Sequence, residues 1–279
     1  MSRRPNTLVS GILVAALIAI AVLSPWLGGS DATELDIAGG LTELGAPLPP
    51  SSDSFLGTDH LGRDVWARLV AGAGTSLAIA TFATLIALTI GVAVGLVAGY
   101  AGGVVDEVLM RVVDLVLSFP FLLLAILLAA LLRARGLADS SLPVIVTLGV
   151  AGWTTMARVI RGKTASLARS EMVVAAHALG ASPTRIMLRH VLPNVTGVIA
   201  VVATLGFAQN LLAESVLSYL GLGLPPPAPS WGRMLYEGRP YYRSAPHLVL
   251  APGIAILVAV VAFNLLGEAL RERFDRRGR

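Results

Sequence analysis

Residues 69–105 read LVAGAGTSLAIATFATLIALTIGVAVGLVAGYAGGVV, 37 positions without a charged side chain. A helix rises about 1.5 Å per residue, and the hydrocarbon core of a bilayer is about 30 Å thick. The run is therefore too long for one span and too short for two joined by a turn. It predicts one membrane helix over 76–99, with glycine-containing shoulders at 71–74 and 101–103. Further apolar, charge-free runs lie at 8–28, 115–132, 140–157, 190–213 and 244–267. Residues 215–232 are also uncharged, but GLGLPPPAP at 221–229 cannot stay helical and reads as a loop. The expectation is an all-α, polytopic membrane protein with six transmembrane helices.

Composition agrees. Of 279 residues, 55% are hydrophobic and 14% charged, with a mean hydropathy of +0.78. A soluble domain carries about 25% charged residues. These values exclude a disordered chain, a collagen-like repeat and a nucleic-acid-binding domain, and disfavour a soluble enzyme. The absence of cysteine removes disulfides and thiolate metal sites. No metal ligand set or catalytic nucleophile–base pair stands out. The first run follows Arg3 and Arg4 as a signal peptide would. However, it is long, and Ser24-Pro25-Trp26 makes no small-residue cleavage site, so an uncleaved span is expected. The chain divides into 1–75, the first span with an extracytoplasmic segment, and 76–279, a five-helix core with a cytoplasmic loop at 158–193.

Arginine sets the orientation. With the N-terminus inside, fourteen of the 21 Lys and Arg residues face the cytoplasm and seven face outward, in longer segments. The net charge of +4 therefore belongs to the inner face, mostly to 158–193 and the C-terminal tail. Both termini are expected in the cytoplasm.

Some side chains within the spans invite a specific reading. Gly91, Gly95 and Gly99 lie on one helix face, where two backbones can approach closely. Packing explains them, and a sliding seam is the sharper alternative. Glu107, Arg111 and Asp114 share a face at a helix entry, as an ion-paired anchor or a gating lock. Pro120 should bend that helix. Glu214, with Asn210 one turn earlier and Ser215 beside it, sits in the fifth span. A carboxylate there should face protein or water, as a paired structural group or as part of a pathway or gate.

The 158–193 loop is itself helical. Ser170 suits the N-cap of a helix running through Leu179, with Glu171 in its first turn. Gly180 suits the left-handed position that ends it. Ser182 and Pro183 suit the start of a second helix, expected to stop before Pro193. The result is a helix–turn–helix whose first arm presents Val174, Ala175 and Ala176. A DNA-binding unit clamped between two spans is excluded, and a membrane-surface amphipathic linker is the main competitor.

Val174-Ala-Ala-x-x-x-Gly180-x9-His190-Val-Leu-Pro193 resembles the EAA loop of bacterial ABC importer permeases, which reads Glu-Ala-Ala, three residues, Gly, nine residues, Ile-x-Leu-Pro. Ala175, Ala176, Gly180, Leu192 and Pro193 match in register. Val174 replaces the acid, and His190 replaces the Ile. FLGTDHLGRDVWAR at 55–68, LSYLGLG at 217–223, PSWG at 229–232 and NLLGEALR at 264–271 are similar to landmarks of the C-type permease in the dipeptide/oligopeptide/nickel group. The resemblance covers nearly the whole chain. It implies the ABC type I importer permease fold in a bacterial cytoplasmic (inner) membrane. It also implies three kinds of partner: a second permease subunit, one or two ABC ATPase subunits, and an extracytoplasmic substrate-binding protein that receives contacts from 29–75 and 221–246. Residues Glu171, Val174, Ala175, Ala176, His177, Gly180, Arg185, Leu192 and Pro193 would couple to the ATPase. ATP and Mg would be used there, with no cofactor on this chain. The solute would be a peptide or a related small molecule.

Gly162-Lys163-Thr164 mimics the end of a P-loop, but Ala157 stands where the first glycine is required. A self-contained ion-coupled carrier would need more intramembrane ionisable groups than Glu214, and usually internal repeats. An intramembrane enzyme lacks its nucleophile and base.

Overall fold

The computed structural model describes residues 4–29, 31–137 and 140–275. Arg3 and the tail from 276, both used in the charge argument, lie outside the described residues. Ten α-helices are described: α1 (Arg4–Leu27), α2 (Val65–Ala101), α3 (Gly103–Leu117), α4 (Phe121–Leu132), α5 (Leu142–Ala168), α6 (Glu171–Ala178), α7 (Pro183–Ile186), α8 (Leu192–Tyr219), α9 (Trp231–Gly238) and α10 (His247–Asp275). Five helical runs are long and apolar enough to cross a membrane: α1, α2, α5, α10, and the run from α7 through α8. α3 and α4 are together apolar enough to cross but are bent by 85° between them, a geometry that fits a broken sixth span or a re-entrant loop. Proline at 120 has no N–H to donate and pushes the residue before it out of helical geometry. The expected bend is therefore a break.

α2 is longer than the sequence suggests. At 37 residues it spans about 55 Å, so the 71–74 glycine shoulder joins it, while the second shoulder ends it, with Gly102 as its C-cap. Asp64 caps it by accepting from the Ala67 amide at 2.9 Å. Gly72 is kept because a Cβ there would meet Trp231 Cδ1 at 3.2 Å. Further along, Gly91, Gly95 and Gly99 seat α2 directly on α5. A Cβ at these positions would lie 2.7 Å from Met156 Cβ, Ala157 O and Thr164 Cβ, respectively. The glycine face is a close helix–helix contact, as its packing explanation required.

α5 likewise runs beyond its expected end, through 168 into the loop. At the far side, the helical run that starts with α7 does not stop before Pro193 as expected. A π-helical turn at Met187–Val191 carries the chain into α8, with Pro193 in that helix's first turn. Proline is tolerated there because first-turn amides have no intrahelical acceptor, and the wider turn relieves the clash with the preceding carbonyl.

The core is apolar and continuous between helices. Phe207 of α8 stacks on Phe263 of α10 at 3.8 Å, among Leu77, Leu211, Ala259 and Trp231. On the outside, Leu8, Ile12, Phe82, Leu85, Leu250, Ile254 and Leu257 are all exposed. An apolar exterior of this kind suits lipid as the solvent.

Candidate functional site

The helix–turn–helix at 171–191 forms as its residue types suggest. Gly180 has φ +77°, and the Ala181 amide reaches back to Ala176 O at 3.1 Å, which closes α6. The Ser182 hydroxyl accepts from the Arg185 amide at 3.4 Å. Ser170 occupies the N-cap position, but its hydroxyl donates to Leu167 O at 2.7 Å and caps nothing.

Ala176 does not face outward as expected. With Val173, three residues earlier on the same face, it packs into a core made with Leu96 of α2, Ile160 of α5, Ile186, Val191 and Val195. The two residues are 7% and 2% exposed. The outward face carries Glu171, Met172, Val174, Ala175, His177 and Leu179. Leu179 is 88% exposed and Val174 61%. Arg185 and Pro193 are exposed too, and Leu192 is half-buried. Met172 and Leu179 were missed because their role depends on exposure, which their residue types do not announce. Also unforeseen is Tyr100, at the end of α2, whose hydroxyl lies 3.0 Å from His177 Nε2 with the rings stacked.

The helix-entry charges are placed differently from their expected mutual pairing. Glu107 and Arg111 approach at 3.9 Å, both largely exposed, where a pair is worth about 0–1 kcal/mol. Asp114 turns instead to Arg158 of α5 at 2.5 Å, and Asp106 takes Arg161 with two hydrogen bonds. Two ion pairs thus tie α3 to α5.

Midway, a cavity of 530 Å³ opens between α3, α4, α5 and α8. Phe121, Leu122 and Met156 line it, and Thr155 and Gln209 bring exposed polar groups. Asn210 reaches its wall while donating to Thr84 Oγ1 at 3.0 Å. Glu214 and Ser215 are off this wall. Ser215 is buried and donates to Leu211 O.

Glu214 is fully buried and accepts from Ser218 (2.8 Å), Ser230 (3.0 Å) and Ser76 (3.2 Å). Ser76 Oγ and Ser230 Oγ in turn accept from the amides of Trp231 and Arg233, in the first turn of α9. Two hydroxyls therefore relay the positive end of α9 to one carboxylate. Gly232 allows this approach, since a Cβ there would sit 2.6 Å from Ser218 Cβ.

Beyond it lies a second polar cluster. Arg63 binds Asp59 (2.7 Å) and Glu237 (2.8 Å). Arg68 binds Glu237 (2.7 Å), and Arg233 takes the other oxygen of Glu237 (2.7 Å). The ligand atoms of Asp59, His60 and Glu237 are close enough to share a metal. Both carboxylates are already held by guanidinium groups, however, and the cluster's surplus charge is positive, so it does not suit a cation.

The family described as "Binding-protein-dependent transport system inner membrane component" matches residues 91–279. The chain is 39% identical to the glutathione transport system permease protein GsiD of Salmonella typhimurium over 273 residues, 98% of this chain and 87% of that protein. It is 37% identical to the dipeptide transport system permease protein DppC of Alkalihalophilus pseudofirmus over 275 residues, covering 99% and 87%. Among solved structures, an inward-facing MetNI methionine ABC transporter aligns with a TM-score of 0.61 at 19% identity, covering 74% of this chain and 95% of that one. That likeness concerns the fold. The family match over two thirds of the chain and the relatives along nearly its full length establish that this multi-pass membrane protein belongs to the binding-protein-dependent transport system inner membrane component family, as a permease subunit.

Proposed function

We propose that the chain forms half of the translocation pathway of an ATP-driven importer, in a bacterial inner membrane with both termini cytoplasmic. A second permease completes the pathway, one or two ATPase subunits sit below, and an extracytoplasmic binding protein delivers the solute. The solute class is a peptide or a related small molecule, in line with the dipeptide and glutathione systems of its relatives. ATP and Mg act in the ATPase, and this chain binds no cofactor.

One observation carries the coupling role. The 171–191 unit exposes Met172, Val174, Ala175 and Leu179, while its inner face is wedged into a core shared by α2, α5 and α8. Exposed apolar groups gathered on one short helical unit support the reading of a docking surface. Gly180 and Arg185 shape and border it, with His177 at its edge. Force applied there reaches three spans through packed side chains. The ATPase favours one arrangement of the spans by binding it better, which is the condition for coupling. Residues at the 530 Å³ cavity, among them Asn210, Thr155 and Gln209, line the pathway. Glu214 acts at its outer end as a lock between α2, α8 and α9, and Ser215 as a packing residue beside it. Glu107, Arg111 and Asp114 hold the cytoplasmic entry of α3.

The test is Ala175→Trp. Ala175 is exposed, so the fold should survive. Uptake by reconstituted vesicles should fall at least tenfold with membrane insertion intact. Unchanged uptake, or uptake by this chain without an ATPase, contradicts the proposal.

A further inference from the structure

A cleft of 330 Å³ opens beside the outer ion cluster, between residues 60–63 and the α9 region. Its walls include His60, Arg233, Tyr236, Arg239 and Tyr241. Asp59 and Glu237 are shared among Arg63, Arg68 and Arg233. Arg239 has no carboxylate within ion-pair distance among the described residues. The cleft itself is lined by three guanidinium groups, of Arg63, Arg233 and Arg239, against the one carboxylate of Glu237, which leaves two positive charges in excess.

Arg239 is nonetheless held. Its guanidinium lies over Tyr236 at 4.9 Å and over Tyr219 at 5.8 Å. Stacking occupies the flat face of the group and leaves the in-plane N–H donors free to make a forked contact. Tyr241 stacks on His60 at 5.7 Å and stiffens the opposite wall. An oriented, uncompensated arginine in a cationic, aromatic-walled recess suits a carboxylate, which can accept two parallel hydrogen bonds.

We infer that this cleft receives an acidic side chain of the extracytoplasmic binding protein and sets its register on the permease. This rests on the importer reading above. The solute's own carboxylate is the weaker source, because the cleft shares no lining residue with the cavity between α3, α4, α5 and α8. The contact adds charge complementarity at an exposed rim, so it governs encounter and weakens with salt.

The experiment uses the complete transporter in phosphatidylcholine nanodiscs. ATP hydrolysis is followed against the concentration of the solute-loaded binding protein that stimulates the wild-type complex, normalised to each variant's own unstimulated rate. Arg239→Glu should raise the half-saturating concentration of binding protein by about tenfold at low ionic strength. The shift should shrink at high salt, and Arg239→Lys should fall between. Arg243→Glu, the same charge change on the exposed surface outside the cleft, should leave it near the wild-type value. The inference is overturned if Arg239→Glu leaves half-saturation unchanged, or if Arg243→Glu shifts it equally. It is also overturned if the variant raises only the solute concentration required, or acts only when anionic lipid is present. A wild-type complex that no binding protein stimulates contradicts the importer reading itself.

Discussion

Glu214, a carboxylate in a helix long enough to span a membrane, is enclosed by protein groups rather than by water. An intramembrane carboxylate needs polar company, and here that company is three serines from α2, α8 and the start of α9. Removing it leaves hydroxyls buried without their acceptor, which costs about 1–3 kcal/mol. Glu214→Ala should therefore lower the thermal midpoint of the purified complex, and Glu214→Gln should lower it less. Equal midpoints for Glu214→Ala and wild type would remove the lock. Gly180 makes the opposite case. A Cβ there meets nothing within 4 Å, so only its positive φ matters. Gly180→Ala should cost about 1 kcal/mol. Gly180→Pro, whose ring fixes φ near −65°, should break the turn and abolish uptake while the spans still insert. Normal uptake by the Pro variant would contradict the turn's role. The residue types at 170–183 made this turn legible because capping is local. Ala176 was not legible, because its facing depends on where Ile160 and Leu96 stand.

At the scale of elements, α2 and α5 are closely packed along the glycine face. Gly95 would bring a Cβ within 2.7 Å of a backbone oxygen of α5. Gly95→Leu should separate the two helices and cost about 1–3 kcal/mol, read as a lower melting temperature and poorer assembly. A melting temperature equal to that of wild type would show that the seam is not tightly packed. The periodic spacing of the glycines was visible in the sequence, but their partner was not. The same holds for Asp114, whose ion pair to Arg158 links positions 44 apart. Local spacing suggested Arg111, and the fold supplied a better donor. Helix ends were misjudged for a related reason. The 71–74 glycine shoulder and Pro193 weaken a helix locally, but packing on Trp231 and a π-helical turn carry it through.

For the whole molecule, charge-free runs located the membrane spans because lipid imposes length and composition directly on the chain. Pro120 made the α3–α4 bend legible locally, whereas the ion cluster of Asp59, Arg63 and Glu237 was beyond that signal, since it depends on contacts between distant segments. The landmarks at 55–68, 217–223 and 229–232 have structural work: they supply Asp59, Arg63, Ser218, Ser230 and Gly232 to the Glu214 node and the ion cluster beside it. The chain also has no cysteine, so a single introduced thiol is unique. Both Ala175 and Ser244 are exposed, at opposite ends of the proposed topology. The most direct measurement is cross-linking of Ala175→Cys and Ser244→Cys transporters with a short bifunctional thiol–amine reagent, with the adduct identified by mass spectrometry. The account predicts an adduct between position 175 and the ATPase subunit, and none between position 244 and that subunit. An ATPase adduct from position 244, or none from position 175 in an assembled and active complex, would contradict it.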